Sequence, residues 1–321
     1  MKDGMIFLKK RMDNALLFGM LFITVFTITI IRRDFLTAGT LQSMAFQLPE
    51  MGLLTISMMI TMITGGINLS CIASANLSGI IMTTIMTAHI TPGNDNVAVV
   101  LFAIILGMLI SILVGLANGA VIAFFRVPAI LATLGMQMLI NGICLVITKG
   151  KIISGCPKSF SYIGNGDIAG IPVPLIIFLC CALIMTFILR KAPVGSQAYM
   201  YGSNVTATEF SGVNTKAMLL KVYAISGFFA GIASIVLTSR FNSASAGYAE
   251  SYLLLAVLIA VLGGISPNGG KGGVSGMVLS VVILQVVSSG LNLLTVSQHL
   301  TTALWGIILI LAVAVRSYKR E

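Results

Sequence analysis

Apolar residues recur in long runs along nearly the whole chain, and short polar breaks separate these runs. A helix of about 20 apolar residues crosses the hydrocarbon core of a bilayer, which is roughly 30 Å thick. We therefore expect residues 1–321 to form one all-α, polytopic membrane domain with no separate soluble part. The pattern predicts ten spans, at 15–31, 44–64, 69–89, 97–125, 128–148, 172–189, 219–239, 252–265, 273–292 and 300–316.

The distribution of Lys and Arg predicts which loops face the cytoplasm, because these residues are enriched in cytoplasmic loops. With ten spans and a cytoplasmic N-terminus, 13 of the 19 basic residues lie inside, and an even number of spans puts both termini there. The remaining six lie outside and are Arg32, Arg33, Lys149, Lys151, Lys158 and Arg240.

Composition supports a membrane protein, since 57% of the residues are apolar, 9% are charged and the mean hydropathy is +1.05. The net charge of +10 does not indicate a nucleic-acid partner, because the basic residues are spread among short loops and form no patch. The five cysteines include no CxxC pair and no histidine at ligand spacing. No metal site is predicted.

Two segments outside the spans are long enough to carry structure of their own. Residues 149–171 are rich in Gly, Pro, Ser and Lys, and we expect this outer loop to be ordered against the helix ends. The longest cytoplasmic segment contains a patterned stretch at 203–214. There Ser203 or Asn204 can cap a helix of about two turns, and Gly212 can end it.

Ala207 and Phe210 would share one face of this short helix, with Ser211 beside them. A short helix that presents a small residue and an aromatic side chain suits docking into a groove of a partner protein. The alternative is a surface helix that lies on the membrane.

The break between the second and third spans contains two glycines, Gly65 and Gly66, followed by the hydrogen-bonding residues Asn68 and Ser70. Non-helical backbone at membrane depth is tolerated where it is buried in protein or lines a water-filled cavity. If the break lies inside the bilayer, it is a candidate for a translocation path. An ordinary cytoplasmic turn is the alternative.

Other uncharged amide side chains lie in the apolar spans, where they either line a path for a polar solute or bond helices to one another. They are Asn76, Asn118, Gln137, Asn141, Gln285 and Asn292.

Four stretches together carry a resemblance to a known family. Residues 202–214 have the order Gly-x-Asn-x-x-Ala-x-x-Phe-Ser-Gly-Val-Asn, and residues 64–70 read Thr-Gly-Gly-Ile-Asn-Leu-Ser. The other two are the Tyr-, Gly- and Ala-rich stretch at 223–232 and a glycine-rich block at 259–273. In sequence and spacing the chain resembles the ribose-type sugar permeases of bacterial ABC importers, from about residue 35 to 316.

The resemblance implies a permease in the bacterial inner membrane that translocates a monosaccharide or related small polyol. Its implied partners are an ABC ATPase, a periplasmic sugar-binding protein and a second permease chain, identical or not. The chain has no G-x-x-x-x-G-K-[ST] motif, so ATP and Mg are expected on the ATPase, with no cofactor and no enzyme activity here.

The resemblance also implies roles for individual residues. Those that contact the ATPase are Gly202, Asn204, Ala207, Glu209, Phe210, Ser211 and Gly212. Candidates for the translocation path are Gly65, Gly66, Asn68, Ser70, Asn76, Asn118, Gln137 and Asn141. Glu50, the one acid within a predicted span, is expected either to lie in the membrane interface or to meet a sugar hydroxyl.

The chain departs from the family pattern at three positions. Asn68 stands where members usually carry Asp, Val205 where they carry Glu, and Glu209 where they carry Arg. The identity of the sugar and the choice between homodimer and heterodimer stay open.

Three other functions fit a polytopic protein less well. An ion-coupled secondary transporter usually needs buried ionisable groups, and the spans offer almost none. A passive channel differs only in needing no energy source. An intramembrane enzyme would need a nucleophile with a base, such as Ser with Lys, and no span carries one.

Overall fold

The computed structural model describes residues 18–19, 21–22, 24–89 and 95–318, of which 33, 34, 298 and 311–318 are described by their backbone alone. The start of the predicted span at 15–31 therefore lies outside the described residues. So do the basic residues at 2, 9–11, 319 and 320, which the sequence predicts to be cytoplasmic.

Helices make up most of the described chain. Residues 24–31 form α1, and a 3₁₀ turn follows at Arg33–Leu36. The later helices are α2 (Ala38–Ile63), α3 (Cys71–His89), α4 (Val97–Phe125), α5 (Ala129–Thr148), α6 (Lys158–Asn165), α7 (Val173–Lys191), α8 (Pro193–Ser203), α9 (Val205–Phe210), α10 (Thr215–Phe241), α11 (Tyr252–Leu262), α12 (Val274–Leu293) and α13 (Gln298–Tyr318). Two-residue strands lie at β1 (Ile153–Ser154), β2 (Asp167–Ile168), β3 (Ile171–Pro172) and β4 (Ser243–Ala244).

Within the described ranges, seven helices are long and apolar enough to cross a membrane: α2, α3, α4, α5, α7, α10 and α12. The prediction of an all-α, multi-pass membrane protein is confirmed. Helix α11 is shorter than the predicted span at 252–265, and its 11 residues extend only about 16 Å. The number of ten spans stays a prediction.

Among these helices, the less apolar ones are in general the more buried. The least apolar of the seven, α2 and α3, are the most buried, whereas the more apolar α4, α5 and α7 expose broad faces. Lipid tails solvate an apolar face as well as a protein interior does. The polar side chains of the spans are thus gathered in the centre, around α2, α3 and α10.

Helices α4 and α10 contact each other through their backbones. A Cβ atom at Gly115 would overlap the carbonyl oxygen of Tyr223, and one at Gly227 would overlap that of Ser111. The Ser111 hydroxyl donates to the Gly227 carbonyl at 2.7 Å. Small residues permit this close approach, as is common between membrane helices.

The helix ends gather into two groups of loops. We call the end that holds Gly65, Gly202 and Gly269 the glycine end, and the end that holds β1 and β4 the strand end. The sequence predicts the glycine end to be cytoplasmic and the strand end to lie outside.

The loop at 149–171 is ordered at the strand end, as predicted. Strand β1 pairs antiparallel with β4, with Ile153 opposite Ala244. The Asn242 side chain accepts a hydrogen bond from the Cys156 N–H at 2.9 Å, and the Asp95 carboxylate accepts one from the Ser159 N–H in the first turn of α6. The loop is thereby joined to the end of α10.

Glu50 lies in the interior of the strand-end half, where only 2% of its surface is exposed. Its Oε1 is 2.9 Å from Nη1 of Arg240, and the Tyr252 hydroxyl donates to Oε2 at 3.1 Å. Arg240 Nη1 also donates to the Phe46 carbonyl at 2.7 Å. The expectation that Glu50 lies in the interface or meets a sugar is wrong. Its charge is instead compensated by Arg240, which ties α10 to α2 and α11.

We predict that Arg240→Met lowers the free energy of unfolding by roughly 3 kcal/mol, because it leaves the Glu50 carboxylate buried without its partner. Thermal unfolding in detergent micelles measures this effect. The double variant with Glu50→Gln should recover most of the loss, and Arg190→Met provides the control at an exposed basic residue. Equal midpoints for the Arg240 and Arg190 variants would show that the ion pair adds no stability.

Candidate functional site

The break between α2 and α3 is organised by the side chain of Asn68. Its Oδ1 accepts hydrogen bonds from the Ser70 hydroxyl at 2.9 Å and the Ser70 N–H at 3.2 Å. Its Nδ2 donates to the Ser226 hydroxyl on α10 at 2.9 Å. Gly65, with φ of +82°, makes the turn that leads the chain from α2 into this loop.

Other helices supply further bonds to the same loop. Asn118 on α4 donates to the Ser70 hydroxyl at 2.7 Å. The Thr133 hydroxyl on α5 accepts from the Leu69 N–H at 3.2 Å and lies 2.8 Å from the Ile67 carbonyl oxygen. Ser57 on α2 is connected to the loop indirectly through Ser226, the partner of Asn68, since its hydroxyl donates to the Ser226 carbonyl at 2.7 Å.

The loop folds back from the glycine end into the helical body. Asn68 bonds to Ser226, and Ser226 in turn bonds to Ser57, which lies six residues before the end of α2, about 9 Å along the helix axis. Asn68 and Ser70 are fully buried. The part of the break at 68–70 is therefore irregular backbone enclosed by protein, whereas Gly65 is exposed.

The candidate path residues fall into three groups. Asn68, Ser70 and Asn118 share the network just described. Asn76 on α3 is separate, and its amide donates to the carbonyls of Ala246 and Tyr248 at 2.8 Å each.

Gln137 and Asn141 form the third group, one turn apart on α5, where both are partly exposed. The Asn141 Oδ1 atom is buried and has no hydrogen-bond partner among the described residues. That any of the three groups lines a path stays a prediction.

The segment at 203–214 forms the short helix that the sequence predicts. Helix α9 begins after Asn204, whose side chain accepts from the Ala207 N–H at 2.9 Å. It is followed by Gly212 with φ of +77°. Phe210 is 89% exposed, so α9 presents a large apolar side chain at the surface of the glycine end.

Three backbone segments meet at the glycine end without intervening side chains. A Cβ atom at Gly202 would overlap the Ile63 carbonyl oxygen, and the N–H of Gly270 donates to that same oxygen at 2.9 Å. Gly269 packs against Gly65 and Gly202. We call this contact of the α2 terminus, α8 and the 266–273 loop the glycine junction.

Tyr199 reinforces the glycine junction by donating its hydroxyl to the Gly272 carbonyl at 2.9 Å. Burial raises the pKa of this phenol, so it stays protonated and can donate. The end of α8, which leads directly into α9, is thus in direct backbone contact with the end of α2.

A cavity of about 480 Å³ lies between α9 and the helical body. Gly65 and Gly66 line it, as do the α4–α5 turn and the first turns of α10. Burial and the nearby Glu209 carboxylate raise the pKa of Tyr201 in its wall, which keeps that phenol protonated. We call this space the junction cavity.

Several residues of the junction cavity were not expected from the sequence, among them Arg126, Lys216 and Tyr223. The sequence could have pointed to Arg126 as a candidate, since it is the one basic residue in the short turn after an apolar run. Lys216 and Tyr223 carry no such signal, because only the folded helices bring them to one space.

Residues 40–313 match the family described as the permease component of branched-chain amino acid transport systems. The ribose import permease protein RbsC of Bacillus subtilis is 32% identical over 295 residues, which cover 91% of this chain and 89% of the relative. The protein of the same name from Haemophilus influenzae is 30% identical over 302 residues, 93% of this chain and 91% of the relative.

The autoinducer 2 import system permease protein LsrD of Escherichia coli is 29% identical over 272 residues, which cover 83% of this chain and 80% of that protein. No solved structure matches the chain. The resemblance that the four motifs indicate is thus confirmed along most of the chain.

We predict that Asn68→Leu lowers the free energy of unfolding by about 1–3 kcal/mol, because Ser70 and Ser226 lose a buried partner. Hydrogen–deuterium exchange should become faster in the loop at 64–70. Asn292→Leu, at an exposed amide of α12, is the matched control and should leave that exchange unchanged. Slow exchange in both variants would mean that Asn68 does not hold the loop.

Proposed function

The chain belongs to the family of permease components of branched-chain amino acid transport systems, and from this premise we propose that it is the membrane-spanning subunit of an ABC importer. Its cargo in this proposal is a monosaccharide or a related small polyol. The names of the ribose permeases of Bacillus subtilis and Haemophilus influenzae support the sugar, since both relatives align over nine-tenths of this chain.

Helix α9 is the observation that carries the proposal. It presents Phe210 to solvent on a segment whose backbone is joined to the end of α2 by the glycine junction. A helix of this kind suits insertion into a groove of a partner ATPase. In our proposal the ATPase binds ATP and Mg, and this chain contributes the residues at 204–212 as its docking surface, while Gly202 lies behind them in the glycine junction.

The remaining partners and the orientation follow from the same proposal. The glycine end faces the cytoplasm of a bacterial cell, both termini lie there, and ten spans cross the inner membrane. A periplasmic sugar-binding protein delivers cargo to the strand end, and a second permease chain, identical or related, completes the pore. One domain, residues 1–321, performs these roles.

The mechanism we propose begins with closure of the ATPase around ATP, which moves α9. The glycine junction transmits this motion to the end of α2 and to the loop at 64–70. Because Asn68 joins that loop to α10, the motion changes the spacing of α2 and α10. A polar solute can then pass from one side of the membrane to the other as the path opens alternately at its two ends.

An ion-coupled transporter finds less support. Such a protein needs an ionisable group that exchanges its proton or ion during transport. Glu50, the acid inside α2, is instead held by Arg240 and Tyr252 at the strand end.

We predict that proteoliposomes with this permease, its ATPase and its binding protein accumulate labelled ribose only when ATP is supplied. Ala207→Glu places a carboxylate on the exposed surface of α9, so it should abolish both uptake and co-purification of the ATPase. Ser196→Glu adds the same charge on α8 and should retain both. Uptake that follows a proton gradient without the ATPase would contradict the proposal.

We predict that Gly202→Ala separates ATP hydrolysis from transport. The added methyl group overlaps the Ile63 carbonyl oxygen, and strain of about 1–3 kcal/mol corresponds to roughly a 5- to 150-fold fall in uptake. ATP hydrolysis by the assembled importer should persist, since α9 itself is unchanged. Gly39→Ala, where no atom lies near the added methyl group, is the control. Normal uptake by the Gly202 variant would remove the glycine junction from the mechanism.

A further inference from the structure

The junction cavity has a wall chemistry that the proposed transport of a neutral polyol does not require. Two cationic side chains, Arg126 and Lys216, and one carboxylate, Glu209, line it. A path for an uncharged sugar needs hydrogen-bonding groups but no charge. An excess of positive charge around a cavity of this size favours an anionic occupant.

Each cation is available to such an occupant. Arg126 ends α4 in a left-handed conformation, with φ of 55°, and its side chain is exposed. Among the described residues, its guanidinium has no ion pair or hydrogen bond. The Lys216 ammonium lies 5.5 Å from the centre of the Phe124 ring, a contact that leaves its hydrogen-bond donors free.

The inner wall of the cavity holds a hydroxyl group without a partner. Tyr223 is completely buried and lines the cavity beside Gly66. Its Oη atom makes no hydrogen bond within the described part of the chain. A buried hydroxyl left unpaired costs about 1–3 kcal/mol, and a ligand recovers that free energy when a small movement of Gly66 exposes the hydroxyl to the cavity.

We propose that the junction cavity is a binding site for a small molecule that carries a phosphate group and hydroxyls. The phosphate lies between Arg126 and Lys216, since guanidinium and ammonium groups form strong charge-assisted hydrogen bonds with phosphate oxygens. The hydroxyls face Tyr201, Tyr223 and Glu209. A soluble sugar phosphate and the glycerophosphate headgroup of an anionic lipid both have this chemistry.

Occupancy of the site has a consequence for transport, which rests on the proposed function. The occupant touches Val205 and Glu209 on α9 and Arg126 on the α4–α5 turn at the same time. It therefore ties α9 to the membrane-spanning helices and opposes the motion that the ATPase imposes on α9. A phosphorylated polyol in the cytoplasm would therefore slow import. This is the effect expected of feedback inhibition by a phosphorylated product of the imported cargo.

Binding is tested on the purified permease in phosphatidylcholine nanodiscs, by calorimetric titration with ribose 5-phosphate and with ribose. We expect saturable binding of the phosphate ester and none of the free sugar. Arg126→Gln and Lys216→Gln should each weaken binding about tenfold, the loss of one charge-assisted hydrogen bond. Lys221→Gln, which removes an exposed charge from the same helix outside the cavity, should not change the affinity.

Two further variants test the placement of the ligand. Glu209→Gln removes the carboxylate and should strengthen binding, which a general loss of structure would not do. Tyr223→Phe deletes one hydroxyl and should weaken binding by about fivefold or more. Equal binding of ribose and its phosphate, affinity unchanged by the Arg126 and Lys216 substitutions, or no saturable binding would each overturn the proposal.

Nanodiscs that contain phosphatidylglycerol distinguish the two sources of the phosphate. Competition by this lipid, lost in Lys216→Gln, identifies a lipid headgroup as the occupant, and unchanged affinity identifies a soluble ester. These titrations need no ATPase, so absence of binding leaves the transport function standing. Failure of ATP-driven uptake, in turn, leaves the binding site standing.

Discussion

Satisfaction of irregular backbone buried among packed helices is the constraint on which this structure depends. Between α2 and α3 the chain leaves helical geometry, and the freed amides and carbonyls need partners within the protein. Asn68 in the loop and Thr133 on α5 supply partners for this backbone, and Asn118 on α4 holds the Ser70 side chain. Because Ser226 joins the same network, α10 is held to the loop as well. The irregular loop is thus held by hydrogen bonds from several sides, and α2, α4, α5 and α10 all contribute side chains to this one network.

The two ends of the molecule are held by different physical means. At the strand end, an ion pair between Glu50 and Arg240 and a strand pairing fix α2, α10 and the outer loop to one another. At the glycine end, backbone meets backbone at Gly202, with no long side chain between the segments. A contact of this kind has no rotamers to absorb a displacement, so it transmits movement, whereas the ion pair resists it. The junction cavity lies beside this stiff contact, so an occupant there would act on the movement.

The sequence predicts the helical content, the break at Gly65–Gly66 and the short helix capped by Asn204, because each depends on local signals of apolar periodicity, glycine and capping. It does not predict that Glu50 pairs with Arg240, since 190 positions separate them and only the packing of α2 on α10 brings them together. The junction cavity is missed for the same reason.

The short length of α11 is also missed. The apolar run at 252–265 has the composition of a full span. The glycines that follow Leu262, where the helix ends, are themselves compatible with a membrane helix.

The bond between Ser57 and Ser226 spans 169 positions of the chain, and this separation bears on how the protein is made. A ribosome adds about 5–20 residues per second, so α2 enters the membrane roughly 10–30 s before α10 is synthesised. During that interval the polar groups near Ser57 have no native partner in lipid. The nascent chain must keep them hydrated or shielded at the insertion machinery, and the central helices can settle only after the seventh apolar segment has emerged. Assembly of the core is therefore late and cooperative, even though its first helix is among the earliest parts translated.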